Sequence, residues 1–332
     1  MPLPCTLGFH CSHEQLPPSA LLRIATLAAE AGFAAAMCSD HFHPWSERQG
    51  QSGFSWSWLG AALQATPMSF GTVCAPGQRY HPAVIAQAAA TLSEMFPGRF
   101  WLAVGSGEAL NESITGQTWP PKHERHLRLH ESVSIMRALW AGERVTTRGF
   151  VRTEAARVYT RPVVPPLLLG AALSPDTARW AGSWADGLIT VAGSRDDMRA
   201  VIEAFRESAG DAKPLFLQAA VSFARTDEEA TSAAHDQWRH CVIPAAQLAD
   251  LSSPAAFDRA CADVDQNAVS AKLRVSSDIQ RHLGWLHQDA DLGFARIYLH
   301  NVARDHQERF IAACAERVIP SFNRACMEKP PR

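Results

Sequence analysis

The stretch Phe33-Ala34-Ala35-Ala36-Met37-Cys38-Ser39-Asp40-His41-Phe42-His43-Pro44-Trp45 decides how the chain is read. Its first part is an apolar run of strand length and reads as a buried strand. A carboxylate, two imidazoles and an indole then follow. Strand interiors of α/β proteins are apolar, so titratable groups crowded at a strand's carboxyl end mark a site candidate. The bland alternative is a polar loop with solvated histidines, and the surrounding chain has to choose.

Outward from this stretch, strand and helix alternate. Thr6 to His10 is a strand candidate, and Pro17-Pro18-Ser19 opens a helix with Ser19 as its N-cap. Leu22, Ala25 and Ala29 share one face of that helix, and Gly32 ends it. Trp56 to Ala65 is a helix, Met68 to Cys74 a strand, and Pro82 opens a helix that runs to Met95. Phe100 to Val104 is the fourth strand and runs into Gly105-Ser106-Gly107-Glu108. His123 to Trp140 is a long helix, and Arg144 to Tyr159 is an excursion, a hairpin turning at Arg148-Gly149. Strands at Leu167–Ala171, Gly187–Val191, Leu215–Phe223 and Ala295–His300 follow, with helices between them. Residues 227–285 are mostly helical in pattern, broken near Pro244 and Ser252-Ser253-Pro254. They read as a helical insertion in one domain spanning 1–332.

Such alternation predicts parallel strands with helical crossovers, and the expected fold is a (β/α)8 TIM barrel. The polar clusters after strands two, three and four then fall on one face. An open dinucleotide-binding sheet would need Gly-x-Gly-x-x-Gly after its first strand. His10-Cys11-Ser12-His13 stands there instead, and Gly105-x-Gly107 follows the fourth strand without a third glycine.

Composition narrows the class. The 332 residues are 47% hydrophobic and 19% charged, with a net charge of -2 and no basic block, which argues against nucleic acid or an anionic membrane as partner. Eight cysteines occur without a Cys-x-x-Cys pair, so neither a zinc ribbon nor a redox motif is expected, and reduced thiols are. No leader pattern and no long apolar run are seen, so the expectation is a cytoplasmic protein. The histidines are scattered and no metal is expected. Nucleophile-elbow and Walker patterns are absent.

Three constellations remain. Asp40, His41 and Trp45 combine a proton carrier, a carboxylate and an indole able to cover a reacting ring. His43 reads as a solvated loop residue. Gly105 to Glu112 offers backbone for close approach to a flat ligand, with Glu108 at the barrel mouth; the bland reading is a plain turn with Glu108 near a helix start. Gly71 to Pro82 leaves a strand and enters a helix, offering backbone able to border a ring, and its Arg79 either meets an anion or sits in a surface salt bridge.

Ser12-His13-Glu14-Gln15, Ser39 to Trp45, Arg79 to Gln87 and Gly105 to Glu112 together resemble the F420-dependent glucose-6-phosphate dehydrogenase group of the luciferase-like flavin and deazaflavin oxidoreductases. The likeness is dense over residues 6–140 and continues through Ala185-Asp186-Gly187-Leu188-Ile189 to Tyr298-Leu299-His300. It implies a (β/α)8 barrel, His41 as base on a substrate hydroxyl, Trp45 as stabiliser of the charged intermediate and Glu108 as acid toward the ring. It also implies cofactor contacts from Asp40, Ser106, Gly107 and Asn111, and from a bulge at Thr72, Val73 and Cys74 able to hold a non-prolyl cis peptide. The group's phosphate-binding Gly-Gly-Pro is Leu173-Ser174-Pro175 here. Of its three basic sugar-phosphate residues, one becomes Ser194 beside Arg195, one falls near Leu248, and one matches Lys272. The whole chain looks most like a side branch of the group that uses FMN in place of F420.

The expected protein is therefore an FMN-dependent oxidoreductase acting on a small molecule, with F420 as the alternative cofactor and a homodimer as the assembly. Rival readings are an F420-dependent sugar-phosphate or alcohol dehydrogenase, an O2-using reduced-flavin monooxygenase, and a non-catalytic flavin-binding protein.

Overall fold

The computed structural model describes residues 5–328. Eight parallel strands close into a barrel: β1 (Thr6–Cys11), β2 (Ala35–Ser39), β3 (Ser69–Cys74), β4 (Phe100–Val104), β5 (Leu167–Ala171), β6 (Gly187–Val191), β7 (Leu215–Ser222) and β8 (Arg296–Asn301). Each pairs with the next, and β8 returns to β1 with Leu7 opposite Ile297. Parallel neighbours need a crossover, and helices such as α1 (Pro18–Glu30), α2 (Ser55–Ala65), α3 (Pro82–Met95) and α4 (Lys122–Ala141) supply it. The expected hairpin is present, with Val145–Arg148 antiparallel to Arg152–Ala156.

Strand alternation sorts the apolar residues into two layers. Met37, Trp101, Leu169, Phe216 and Tyr298 fill the barrel interior. Phe9, Cys38, Phe70, Leu102 and Leu299 pack outward against the helices. Gly71 is required by this filling, since a Cβ there would lie 1.8 Å from the Trp101 ring.

Two local expectations are corrected. Ser19 does not cap α1: the helix begins at Pro18, with Pro17 in the capping position and no side-chain bond. Proline's fixed φ suits the first helical turn and its missing N–H costs nothing there. The β3 exit holds no cis peptide, and Val73 and Cys74 stay in register with Ala103 and Val104 of β4.

After α5 (Pro175–Gly182) and α6 (Arg195–Ala209), the segment 227–285 carries α7 (Asp227–Trp238), short helices at Ala245–Leu248, Pro254–Ala260 and Gln266–Ser270, and the start of α8 (Ile279–Ala290). The sequence pattern did not disclose its two-residue strand, Arg274–Val275, which pairs with the end of β7. No helix among the described residues is long and apolar enough to cross a membrane.

Candidate active site

The loop after β2 is clamped from both sides. Asn111 Oδ1 accepts from the backbone N–H of Phe42 at 2.8 Å and of His43 at 3.3 Å. His43 Nδ1 lies 2.8 Å from the Leu110 carbonyl, so this histidine serves the loop's own geometry. On the other side Ser46 Oγ donates to Asp258 at 2.6 Å, which ties the loop to the helical segment.

This clamping fixes His41 at the mouth. Its Nδ1 lies 2.8 Å from Glu14 Oε1, and its Nε2 lies 4.0 Å from Glu108 Oε2. Glu14 is buried at the β1 exit, while the His41 and Glu108 side chains keep 14% and 26% exposure, so these two titratable groups are reachable from outside. Burial alone would lower the His41 pKa, but the charge and contact of Glu14, joined by Glu108, outweigh it and hold the imidazole above its ordinary value. Glu14 answers in the opposite sense: burial opposes its charge, yet His41 and the Ser12 hydroxyl hold its carboxyl well below the usual range. Burial raises the Glu108 pKa, and His41 offsets only part of that rise.

Trp45 meets His41 edge to face at 5.0 Å between centroids. Its own face stacks on His240 at 5.1 Å, and Phe257 stands against it at 5.2 Å. Burial lowers the His240 pKa to about 3, so this second imidazole is neutral near pH 7. Below it His10 and His300 stack at 4.2 Å, and burial holds both below the ordinary histidine value.

Asp40 faces away from this mouth. Its Oδ1 accepts from Ser55 Oγ at 2.8 Å and Tyr80 Oη at 3.3 Å, and its Oδ2 from Arg79 at 3.1 Å. Its side chain, only 1% exposed, is thereby saturated by the chain's own donors. The Arg79 guanidinium also lies 3.5 Å from Glu112 Oε1, and the Arg79 backbone N–H donates to Glu112 Oε2 at 2.6 Å. Arg79 is therefore neither a surface pair nor a free anion seat. It is a buried clamp that ties the exits of β2, β3 and β4 together. Burial pushes Glu112 up to about 7 even beside this cation.

Of the three residues at the β3 exit, Val73 packs with the barrel interior. Cys74 packs outward, and alternation turns Thr72 the same way. Thr72 and Cys74 thus offer backbone only to anything bound in the mouth. Gly107 has φ +81°, and a Cβ there would lie 3.0 Å from Glu112 Cγ and 3.2 Å from Ala75 Cβ. Glycine is required for this turn, which brings Ser106 and Glu108 to the rim.

The remaining candidates do not converge. Ser174 caps α5 by accepting from Thr177 N, and Leu173 is 52% exposed. Ser194 caps α6, and the neighbouring Arg195 side chain is drawn to the Gln288 carbonyl at 2.9 Å. Lys272 is exposed. Leu248 packs with Leu110, Ile243, Phe257 and Trp45 in an apolar cluster. Among the described residues no group of His, Cys, Asp or Glu is disposed to hold a metal.

The luciferase-like monooxygenase family model matches residues 5–298. The chain belongs to this family. It is 38% identical to an F420-dependent glucose-6-phosphate dehydrogenase of Nakamurella multipartita, with 96% of this chain and 97% of the relative aligned. The enzyme of the same name from Beutenbergia cavernae is 34% identical over 95% and 96% of the two chains. Among solved structures, an F420-dependent secondary alcohol dehydrogenase in complex with an F420–acetone adduct superposes with a TM-score of 0.87 at 29% identity, covering 96% of this chain and 99% of that one. The protein is thus an oxidoreductase built for a ring cofactor. The expected preference for FMN finds no support in these relatives, whose names specify F420. Monooxygenases among the solved structures are 12% to 20% identical, and their likeness shows the fold alone.

Sequence reasoning missed Glu14 and His240. Glu14 had a signal, since the carboxyl-end rule that selected residues after β2, β3 and β4 applies equally to β1. His240 had none, because its partner Trp45 is distant in sequence.

Proposed function

We propose that the protein is an F420-dependent dehydrogenase that converts a hydroxyl of a small organic substrate to a carbonyl. The observation that carries this reading is His41 held at the barrel mouth between Glu14 and Glu108, at 2.8 and 4.0 Å from its two ring nitrogens. His41 Nε2 faces the mouth and takes the hydroxyl proton. Glu14 at Nδ1 orients the ring and favours the imidazolium that results. Trp45 keeps that ring in place and presents a π surface to the developing charge. Glu108, with its pKa raised by burial, exchanges a proton on the cofactor side. The bound deazaflavin would supply the hydride acceptor. Residues fit to hold such a ring are Val73, Gly107 and the backbone at the β3 and β4 exits.

The names of the relatives support F420 over FMN. One observation favours FMN as a second reading. Where the group has a Gly-Gly pair for the cofactor phosphate, this chain has Leu173 and a Ser174 hydroxyl already engaged as a helix cap. Titration of the purified protein with F420 and with FMN tests the choice. Micromolar binding of F420 with weaker FMN supports the first reading, and the reverse order overturns it.

The substrate we infer is an uncharged alcohol rather than a sugar phosphate. A phosphate dianion needs convergent charge-assisted contacts. Ser194 is a cap, Arg195 is drawn to a backbone carbonyl, and Leu248 lies in the apolar cluster beside Trp45. Turnover of F420 with small secondary alcohols but not with glucose 6-phosphate is the expected result. Efficient turnover of glucose 6-phosphate would overturn it.

A further inference from the structure

The rim between the β4 and β5 exits holds a guanidinium that the proposed reaction does not use. Arg125 lies in the first turn of α4 with its side chain 9% exposed. Its Nη1 donates to the Pro120 carbonyl at 2.9 Å, and its guanidinium lies 4.5 Å from the centre of the Trp119 ring. Its buried Nε has no partner. The carboxylate near it is Asp250, at 3.6 Å, and the same Asp250 Oδ1 accepts from Trp119 Nε1 at 2.9 Å. An indole N–H and a guanidinium therefore hold one carboxylate oxygen between them.

Asp250 is a loose occupant of this seat. Its side chain is 66% exposed and it belongs to the short-helix region of the inserted segment. Water takes up an exposed carboxylate at little cost, so a tethered anion can displace it. Behind the seat is a cavity of about 10 Å³, room for one water, which Ser106, Trp119, Arg125 and Arg128 help to line. Arg128 adds a second cation there, with Gln78 at 3.0 Å and Glu124 at 3.1 Å as its partners. Glu112 also borders the cavity, and its charge is met by Arg79. Ser106 belongs both to this cavity and to the turn that presents Glu108, so the seat adjoins the ring site.

We propose that Arg125 and Trp119 Nε1 form a seat for a carboxylate on the cofactor's side chain, exchanged against Asp250. This inference rests on the F420 reading. F420 carries glutamyl carboxylates beyond its phosphate, whereas FMN ends at the phosphate. The seat therefore selects a cofactor by its tail and leaves the ring to the β2–β4 mouth. Arg presents a planar fork suited to such a carboxylate.

Calorimetric titration of the full chain with F420 and with FO, its analogue lacking phosphate and glutamates, tests the seat without any turnover. Arg125→Gln is expected to weaken F420 about tenfold and leave FO unchanged. Arg125→Lys should recover part of that loss, and Asp250→Asn should tighten F420 two- to fivefold by removing the competing charge. Thermal melts of each variant separate loss of fold from loss of the seat. Equal weakening of F420 and FO by Arg125→Gln, or weaker F420 binding in Asp250→Asn, overturns the seat while the F420 reading stands. Failure of the native protein to bind either deazaflavin overturns both.

Discussion

Between the exits of β2, β3 and β4, charged side chains are buried against one another. Between the exits of β5, β6 and β7, the polar side chains singled out in the sequence cap helices or face water. On the first side Arg79 holds both Asp40 and Glu112, and Glu14 holds His41. On the second side Ser174 and Ser194 close the first turns of α5 and α6, and Arg195 reaches a carbonyl near the end of α8. A buried ion pair is costly to form and very costly to break, so the first side is rigid and specified. Exposed pairs and caps are individually weak and tolerate change. The proposed proton-transfer groups therefore lie on the rigid side, and the β5–β7 side is the one that tolerates substitution.

The largest effect expected from this contrast is on turnover. If His41 is the proposed proton carrier, His41→Asn should lower kcat/KM by roughly 10²- to 10⁴-fold, and it should also lower Tm, since buried Glu14 loses its charged partner. Retention of near-native activity would remove His41 from the reaction. Arg79→Met should leave two carboxylates buried without their cation and cost about 3 to 5 kcal/mol in denaturant unfolding. A change under about 1 kcal/mol would show that the clamp is not what separates the two sides.

Titration behaviour sharpens the same contrast. Glu112 is raised to about 7 in the folded protein by burial. Its folded form therefore binds a proton more tightly than the unfolded chain does. The stability this gives is fully present below the ordinary carboxylate pKa and is lost as pH rises through about 7, on the order of 3 kcal/mol in all. Glu112→Gln should remain stable through that window where the native protein weakens, as followed by unfolding at pH 4.5 and pH 8. Glu14→Gln removes the partner that raises His41. Because His41 must be neutral to accept a proton, the acid limb of kcat/KM against pH should move to lower pH in that variant. An unmoved limb would mean that Glu14 does not govern this titration.

The smallest effects belong to the other side. Lys272→Ala should change kcat/KM less than about twofold, and Ser174→Ala should cost about 1 kcal/mol as a lost helix cap. A tenfold rise in KM from Lys272→Ala would abolish the distinction drawn between the two sides.

The fold was legible because apolar runs such as Phe100 to Val104, punctuated by glycine and proline, state their period locally. The cluster at the barrel mouth was half legible. His41, Trp45 and Glu108 each lie in the loop that follows a strand's carboxyl end, and the fold brings them onto one face. Glu14 obeys the same rule at β1 and was passed over. Asp40 was read as a cofactor contact, but Ser55, Tyr80 and Arg79 consume its oxygens. No local pattern states how many donors will converge on a carboxylate.

The sequence by itself determined the alternating strands and helices, the closed barrel they imply and the face on which the strand-end polar residues gather, since these follow from periodicity and from the end of each strand. Only the tertiary structure decided which polar groups face the mouth and which face each other. Asp40 and His41 are adjacent in the chain, yet one is locked under Arg79 while the other stands open at 14% exposure. The physical reason is that burial and pairing depend on neighbours brought from other strands, and these set both the pKa and the reach of every titratable group at the barrel mouth.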